Sequence, residues 1–382
     1  MKPSCERTLQ ARTVRSIGEI AADDWDRLVP PDNPFLSHAF LRILEASNSA
    51  SARTGWQPCH LVVEDEGGLV AAAPLYAKSH SYGEYVFDHG WAEGYRRAGG
   101  RYYPKLQVAV PFTPVPGPRL LARDDAARIV LVRSLAALTD QLGLSSLHVT
   151  FCTEKDAASL REAGFLERRG IQFHWHNDGY GSFEDWLGRL RSAKRKMVRK
   201  EREQVCAAGI TIETHHGADL DPALLDAFYP FYRATVDKRW GNAYLTRDFF
   251  RRLGTELKER VVLVVARHRG RMVAGALNLI GQETLYGRQW GCLEEFAFLH
   301  FEACYYQAIA FAIRHGLSRV EAGAQGIHKL HRGYAPVWTH SAHYLPDPAF
   351  RDAVARFLAA ERRQQELEME EYRSLLPYRH AP

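Results

Sequence analysis

Glu302 stands in an otherwise apolar and aromatic run, Leu299-His-Phe-Glu-Ala-Cys-Tyr-Tyr-Gln307. A carboxylate in such company is costly to bury without a partner. It implies either a buried ion pair, with Arg288 the obvious partner, or a general base. The preceding stretch, Tyr286-Gly-Arg-Gln-Trp-Gly-Cys292, reads as a strand. Arg288 and Trp290 alternate along it and therefore share a face. On a helix, His300, Cys304 and Gln307 would align, with Glu302 and Tyr306 on another face. A third run, Glu321-Ala-Gly-Ala-Gln-Gly-Ile-His-Lys329, leads from a short strand into a Gly-spaced loop. It carries Gln325, His328 and Lys329, with Arg332-Gly333 beyond. Its glycines would let backbone amides approach a ligand, although a plain turn has the same composition. The spacing matches neither GxGxxG nor GxxxxGK[ST], so Rossmann and P-loop readings fail.

The first half holds a fourth group: Tyr82-Gly-Glu-Tyr-Val-Phe-Asp-His-Gly-Trp91, Tyr102-Tyr-Pro-Lys-Leu-Gln107 and Val110-Pro-Phe-Thr-Pro114. Aromatics interleaved with Asp88, Tyr103, Lys105 and Gln107 read as a substrate-lining insertion or as a packed structural loop. The densest basic run is Arg189–Glu203, with eight Lys/Arg against two Glu. On a helix, Arg195, Arg199 and Arg202 share one face. That face is either solvated or suited to polyanions such as a diphosphate, a coenzyme A tail or a tRNA backbone. His300 and Cys304 lie four apart, but a thiolate nucleophile belongs at a helix start opposite a His from another element. Cys304 therefore reads as packing. His215-His216 lacks a third ligand, no CxxC pair occurs, and no metal site is expected. No GxSxG is present.

The elements that must position these groups follow from periodicity. The 382 residues fit two domains, and 46% hydrophobic with 25% charged residues is ordinary globular composition. The longest aliphatic run, Val261–Ala266, is far short of the ~20 residues a membrane helix needs, so no span is expected. The first residues carry charge throughout, and the six cysteines are scattered. Both features suggest a cytoplasmic protein with reduced thiols. A net charge of +5 is too small to imply nucleic-acid binding by itself.

In the first half, Cys59–Glu64 and Leu69–Tyr76 read as a hairpin. Asp124–Leu142 reads as a helix with Ile129, Val132, Leu135 and Leu138 inward, stopped by Gly143. Leu147–Phe151 is a strand, Glu154–Ala163 a helix and Phe165–His174 a strand. In the second half, Arg260–Arg267, Met272–Ile280 and Thr284–Trp290 form a meander. A helix His300–His315 follows, capped by Gly316, then strands Arg319–Glu321 and Val337–Tyr344. The boundary falls near Asn177–Ser182, and a helical stretch Phe183–Ala208 opens the second half. Pro348–Leu375 reads as a charged, solvated helix. Meander, helix, strand, seen twice, indicates two α+β domains of one type.

The stretches Tyr82–Trp91, Tyr102–Pro118, Ser192–Glu203 and Gly287–Arg332 resemble those of predicted N-acyltransferases labelled peptidoglycan-biosynthesis-like. That family lies in the GNAT superfamily and is similar to the Fem-type aminoacyl transferases. The resemblance runs from about Ser16 to about Tyr344. It implies tandem GNAT-like domains with mixed sheets flanked by helices. They would cover residues 1–180, with the aromatic insertion 82–118, and residues 181–347. Residues 348–382 would form the tail. It also implies transfer of an acyl or aminoacyl group from acyl-CoA or aminoacyl-tRNA to an amine, on a cell-wall precursor or a small molecule. No permanently bound cofactor is implied. The 189–203 helix would be the contact for tRNA. The Arg/Gln-x-x-Gly-x-Gly/Ala loop of ordinary GNAT enzymes is not found, and Trp290–Glu295 occupies its place.

On this reading Glu302 is the first candidate base, followed by Asp88 and His300. Arg288, Lys329 or loop amides would steady the oxyanion. Tyr103, Lys105, Trp290, Gln307, Gln325, His328, Lys329, Arg195 and Arg199 would contact substrates. Glu302→Gln should then lower turnover severely with the fold intact. Two other classes compete: a non-catalytic nucleotide or precursor binder on the same fold, and a Cys hydrolase using Cys304 or Cys292.

Overall fold

The protein is described here by a computed structural model covering residues 8–239, 243–323 and 326–379. It forms two compact units. The first holds the chain through Pro30, Phe35–Gly170 and Thr339–Gln365, and the second holds Pro31–Pro34, Ile171–Trp338 and the chain from Glu366. The chain passes from the first to the second within the strand Leu166–His176 and returns within the strand Ala335–Tyr344. No helix among the described residues is long and apolar enough to cross a membrane.

In the first unit, Gln10–Val14, His60–Asp65, Gly68–Ala73 and Leu121–Ala122 form an antiparallel sheet in that order. The expected hairpin is present, but its return strand breaks at Pro74 before resuming as Leu75–Lys78. Lys105–Val108 pairs with Leu75–Lys78 on one side and runs parallel to Leu147–Val149 on the other. Asp124 caps the helix Asp125–Gln141 by accepting from the Ala127 amide. Its buried stripe includes Ala127, Leu131, Val132 and Leu135, so Ile129 faces solvent, contrary to expectation. The C-terminal helix Pro348–Ser374 is not merely solvated: Val354 and Leu358 pack in a cluster with Trp91, Tyr102 and Leu345. Part of the insertion is likewise packed, with Pro111–Val115 buried, while Tyr82 and Phe87 are exposed.

The second unit begins with two helices, Phe183–Arg189 and Ser192–Ala207, where one was expected. The meander Ile210–His216, Val261–His268, Arg271–Ile280 and Thr284–Cys292 is antiparallel throughout. Helices Pro222–Arg239 and Arg247–Glu256 fill the connection before its second strand. Asp32 fixes the tight turn between the third and fourth strands. It accepts from the Glu283 amide at 2.7 Å and the Thr284 hydroxyl at 2.9 Å. A Cβ on Gly281 would lie 2.1 Å from the Asp32 carbonyl oxygen, so only glycine fits there.

The short strand Arg319–Glu321 runs parallel to Thr284–Tyr286 for three pairs, ending at Tyr286↔Glu321. Beyond that point the longer strand continues to Cys292 without this neighbour, and the sheet opens as a fork. The first unit has the same parallel step at Leu106–Val108 with Leu147–Val149. There the following segment is turned inward and buried Arg119 fills the space. Arg119 donates to the carbonyls of Val115 at 2.7 Å and Thr150 at 3.0 Å.

Candidate active site

Lys329 reaches the second unit's fork region on a short 3-10 helix, Ile327–Arg332. Gly326 starts that turn at φ +118°, where a side chain would be strained. Lys329 is 1% exposed, and its Nζ donates to the Gly323 carbonyl at 2.7 Å. Burial pulls its ammonium down to about 7, slightly offset by the Cys304 thiol. The Cys304 thiol is itself pushed far up by burial, which suits packing rather than nucleophilic attack. Trp290, His300, Tyr305 and His328 surround this region. Ring centroids lie 5.4 Å apart for Trp290–His300 and 6.1 Å for His300–His328. The Tyr305 hydroxyl meets His328 Nε2 at 2.8 Å.

Arg332 locks the scaffold beneath. It donates to Glu201 Oε1 at 2.6 Å, the Tyr306 hydroxyl at 3.0 Å and the His328 carbonyl at 2.9 Å. Tyr306 in turn donates to Glu201, and the guanidinium lies 3.4 Å from the Phe301 ring centroid. Helix Ser192–Ala207, the helical stretch that bears Phe301 and Tyr306, and the 3-10 turn are thereby tied together.

Glu302 does form an ion pair, but with Arg202 rather than Arg288. Arg202 Nε and Nη2 stand 3.0 and 3.3 Å from its two oxygens, and Gln307 Nε2 donates to Oε1 at 2.7 Å. A π-helical turn, Glu302–Tyr306, lies inside the expected helix. The wider turn sets Gln307, five residues on, over the carboxylate. These groups line an open cavity of about 530 Å³ that also includes Glu184, Arg199, Cys206 and Ile212. Arg199 pairs with Glu184 at 2.7 Å, and Arg195 turns back to the Leu190 carbonyl at 3.4 Å. Two of the three arginines expected to offer a bare anion-binding face therefore meet carboxylates.

Glu321 ends the short strand of the fork. Arg319 and Glu321 alternate with core residue Val320, so both lie on the opposite face from the core. Glu321 Oε1 is 3.2 Å from Arg319 Nε, and Oε2 is 3.8 Å from His174 Nε2. Oε2 is buried without a hydrogen-bond partner among the described residues. Burial drives this carboxyl up to about 7, against Arg319 and Arg288 and with help from Asp32. His174 is held well below its ordinary range, first by burial and then by cations that include Arg319 and Lys329. Sequence reading treated Glu321 only as a strand residue. Its available signal was a lone acid closing a strand before a glycine loop. Gln325 lies outside the described residues.

Asp88, Tyr103 and Lys105 belong to the first unit, apart from Glu302 and Arg288, which belong to the second. Lys105 is fully buried between Glu84 at 2.7 Å and Asp88. Tyr102 donates to Asp88 at 2.6 Å, and Tyr103 meets the Ser81 hydroxyl at 2.7 Å. His148 and His343 join the network through their Nδ1 atoms at 2.7 Å. Burial opposes the Asp88 charge, yet Lys105 and His148 hold its carboxyl well below the usual range. Burial raises Glu84 to about 7 against the pull of Lys105. Such a compensated buried cluster is costly to break.

The chain matches the FemAB-like family model, described as peptidoglycan biosynthesis/recognition, over residues 16–380. Its structure is similar to that of FemX, at 11% identity, with 88% of this chain and 98% of that chain covered and a TM-score of 0.56. It is also similar to L-PGS from Bacillus licheniformis, at 11% identity over 83% and 95% of the chains and a TM-score of 0.50. A third likeness is the C-terminal domain of a putative lysylphosphatidylglycerol synthetase from Agrobacterium fabrum, at 11% identity over 90% and 97% and a TM-score of 0.51. No curated protein matches by sequence. At such identities the structural likeness speaks for the fold, which is the expected α+β tandem GNAT-like one. By its match over nearly the whole length, the chain belongs to the FemAB-like family.

Proposed function

We propose that the protein transfers an aminoacyl group from aminoacyl-tRNA to an amine of a cell-wall precursor, at the fork of the second unit. The observation that carries this reading is Lys329: a buried amine beside an opened parallel strand pair, with its ammonium held near neutrality. The first unit's equivalent step is filled by Arg119, which favours the second unit as the reacting one. The acceptor amine attacks the ester carbonyl, and a C–N bond forms as the bond to the ribose oxygen breaks. Lys329, when charged, donates to the developing oxyanion. A donor of this kind contributes ~10²–10³ in rate. No covalent enzyme intermediate is needed.

The choice of tRNA over acyl-CoA rests on charge. The segment entering the helix at Leu299 carries exposed Glu294 and Glu295, which would repel a coenzyme A diphosphate. Exposed Arg191, Lys196 and Lys200 on or beside helix Ser192–Ala207 suit a phosphate backbone. The peptidoglycan acceptor follows the family description. The test offers labelled aminoacyl-tRNAs and acyl-CoAs to the protein, with precursor amines and phosphatidylglycerol vesicles as acceptors. Label passing from tRNA to a precursor amine is expected. Transfer only from acyl-CoA, or only to lipid, would overturn the donor or the acceptor.

A further inference from the structure

We infer that Glu321 is the general base that takes the proton from the attacking amine. This rests on the acyl-transfer reading above. Neither Glu302 nor Asp88 is suited to the task. Both Glu302 oxygens are occupied by Arg202 and Gln307, and Asp88 is clamped by Lys105 and Tyr102. Glu321 differs in three respects. It stands at the last paired position of the fork, where the two parallel strands part. It begins the short connection that bears Lys329, so proton acceptor and oxyanion donor come from one segment. Its Oε2 is buried without a hydrogen-bond partner among the described residues, and such an atom calls for a reason. The residues beside it, Gly287, Arg288, Ala322 and Gly323, are partly exposed, so the cover over the carboxylate is thin.

The step balances simply. The nitrogen forms its bond to the carbonyl carbon and gives its proton to Glu321. The leaving ribose oxygen takes a proton from the Lys329 ammonium. Both groups then re-equilibrate with solvent. The groups facing Glu321 are Arg319 on its own strand, Arg288 and Tyr286 on the neighbouring strand, Asp32 from the N-terminal segment and His174 from the strand on the other side. A carboxyl whose burial outweighs the pull of Arg319 and Arg288 is poised to accept a proton near neutral pH.

The test compares wild type, Glu321→Gln and Arg319→Met in the aminoacyl-transfer assay across pH 5.5–9. Glu321→Gln is expected to lower kcat by ~10²–10³ with KM within about twofold, and to abolish the rising acid limb. Arg319→Met removes a cation that favours the carboxylate, so it should shift that limb to higher pH. A Glu321→Gln protein that folds, keeps the limb and turns over within about threefold of wild type would overturn the assignment. If that variant does not fold, an unmoved limb in Arg319→Met overturns it instead. Wild-type protein that transfers to no amine defeats the acyl-transfer reading and this inference together. Wild-type transfer with an unaffected Glu321→Gln removes the base alone.

Discussion

Lys329→Met should yield a protein that is more stable and inactive. The ammonium falls from an ordinary 10.5 to about 7, because burial removes its water and the Gly323 carbonyl replaces only part of it. At ~1.4 kcal/mol per pKa unit the shift costs the fold roughly 5 kcal/mol in acid and roughly 4 kcal/mol at pH 7, where the folded amine is half neutral. Methionine fills similar volume without charge. It leaves the Gly323 carbonyl without its donor, a loss of ~1–2 kcal/mol. The net expectation is a gain of roughly 2–3 kcal/mol, or roughly 5–10 °C in Tm for a unit of this size. The sign depends on pH. Between about 7 and 10.5 the unfolded chain holds the Lys329 proton and the folded one does not, so wild-type stability rises with pH across that window. Below about 7 the full penalty applies. The advantage of the Met variant should therefore be largest at pH 6 and shrink towards pH 10. The assay is thermal and urea unfolding of both proteins at pH 6, 7.5 and 9.5, beside aminoacyl transfer, which should fall by ~10²–10³. A variant that is no more stable at pH 6, or whose advantage does not change with pH, would refute the argument. So would retained turnover.

Arg332→Leu leaves the Glu201 carboxylate buried beside Tyr306 alone and should cost ~3–5 kcal/mol in urea unfolding, with much of it recovered in the Glu201→Leu/Arg332→Leu double variant. Glu302→Gln weakens the Arg202 anchor. It should lower stability by ~1–3 kcal/mol while turnover stays within about tenfold, and a thousandfold loss with Tm unchanged would return Glu302 to the role of base. Iodoacetamide at pH 7.5 should modify exposed Cys206 and spare Cys304, leaving transfer intact. Loss of activity in step with Cys304 labelling, read by peptide mass, would revive a thiol mechanism.

The hairpin over residues 60–73 and the meander over residues 261–292 were legible because apolar runs alternate between glycine-bearing turns, as at Gly270 and Gly281, whereas Lys105–Val108 and Ile210–His216 were not. Other features have no local signature. The π-helical turn at Glu302–Tyr306 inserts no unusual residue, so ordinary helical spacing aligned His300, Cys304 and Gln307 and set Glu302 on another face with Tyr306. The break at Leu190–Arg191 contains neither glycine nor proline. It is made by the far end of the chain, where Pro377 accepts from the Arg191 amide at 2.8 Å and Tyr378 bridges to Leu190. The basic run looked uncompensated because its acids lie elsewhere: Glu302 is 100 residues beyond Arg202. Glu321 was passed over for a similar reason. Its isolation depends on Asp32, His174 and Arg319 converging on it, and only the last is a sequence neighbour.

The return of the chain to the first unit has a consequence for synthesis. Strand Leu147–Cys152 is buried along its whole length, and it pairs with His340–Tyr344. His148 meets His343, 195 residues later. At ~5–20 residues per second on the ribosome, that strand waits roughly 10–40 s for its partner. During that interval residues 171–338 of the second unit emerge, while an apolar strand edge of the first stays open to pairing with other chains. The first unit is thus begun early and stays open until residues 339–365 arrive. A ribosome that stops before about residue 340 leaves it incomplete, whatever the state of the second.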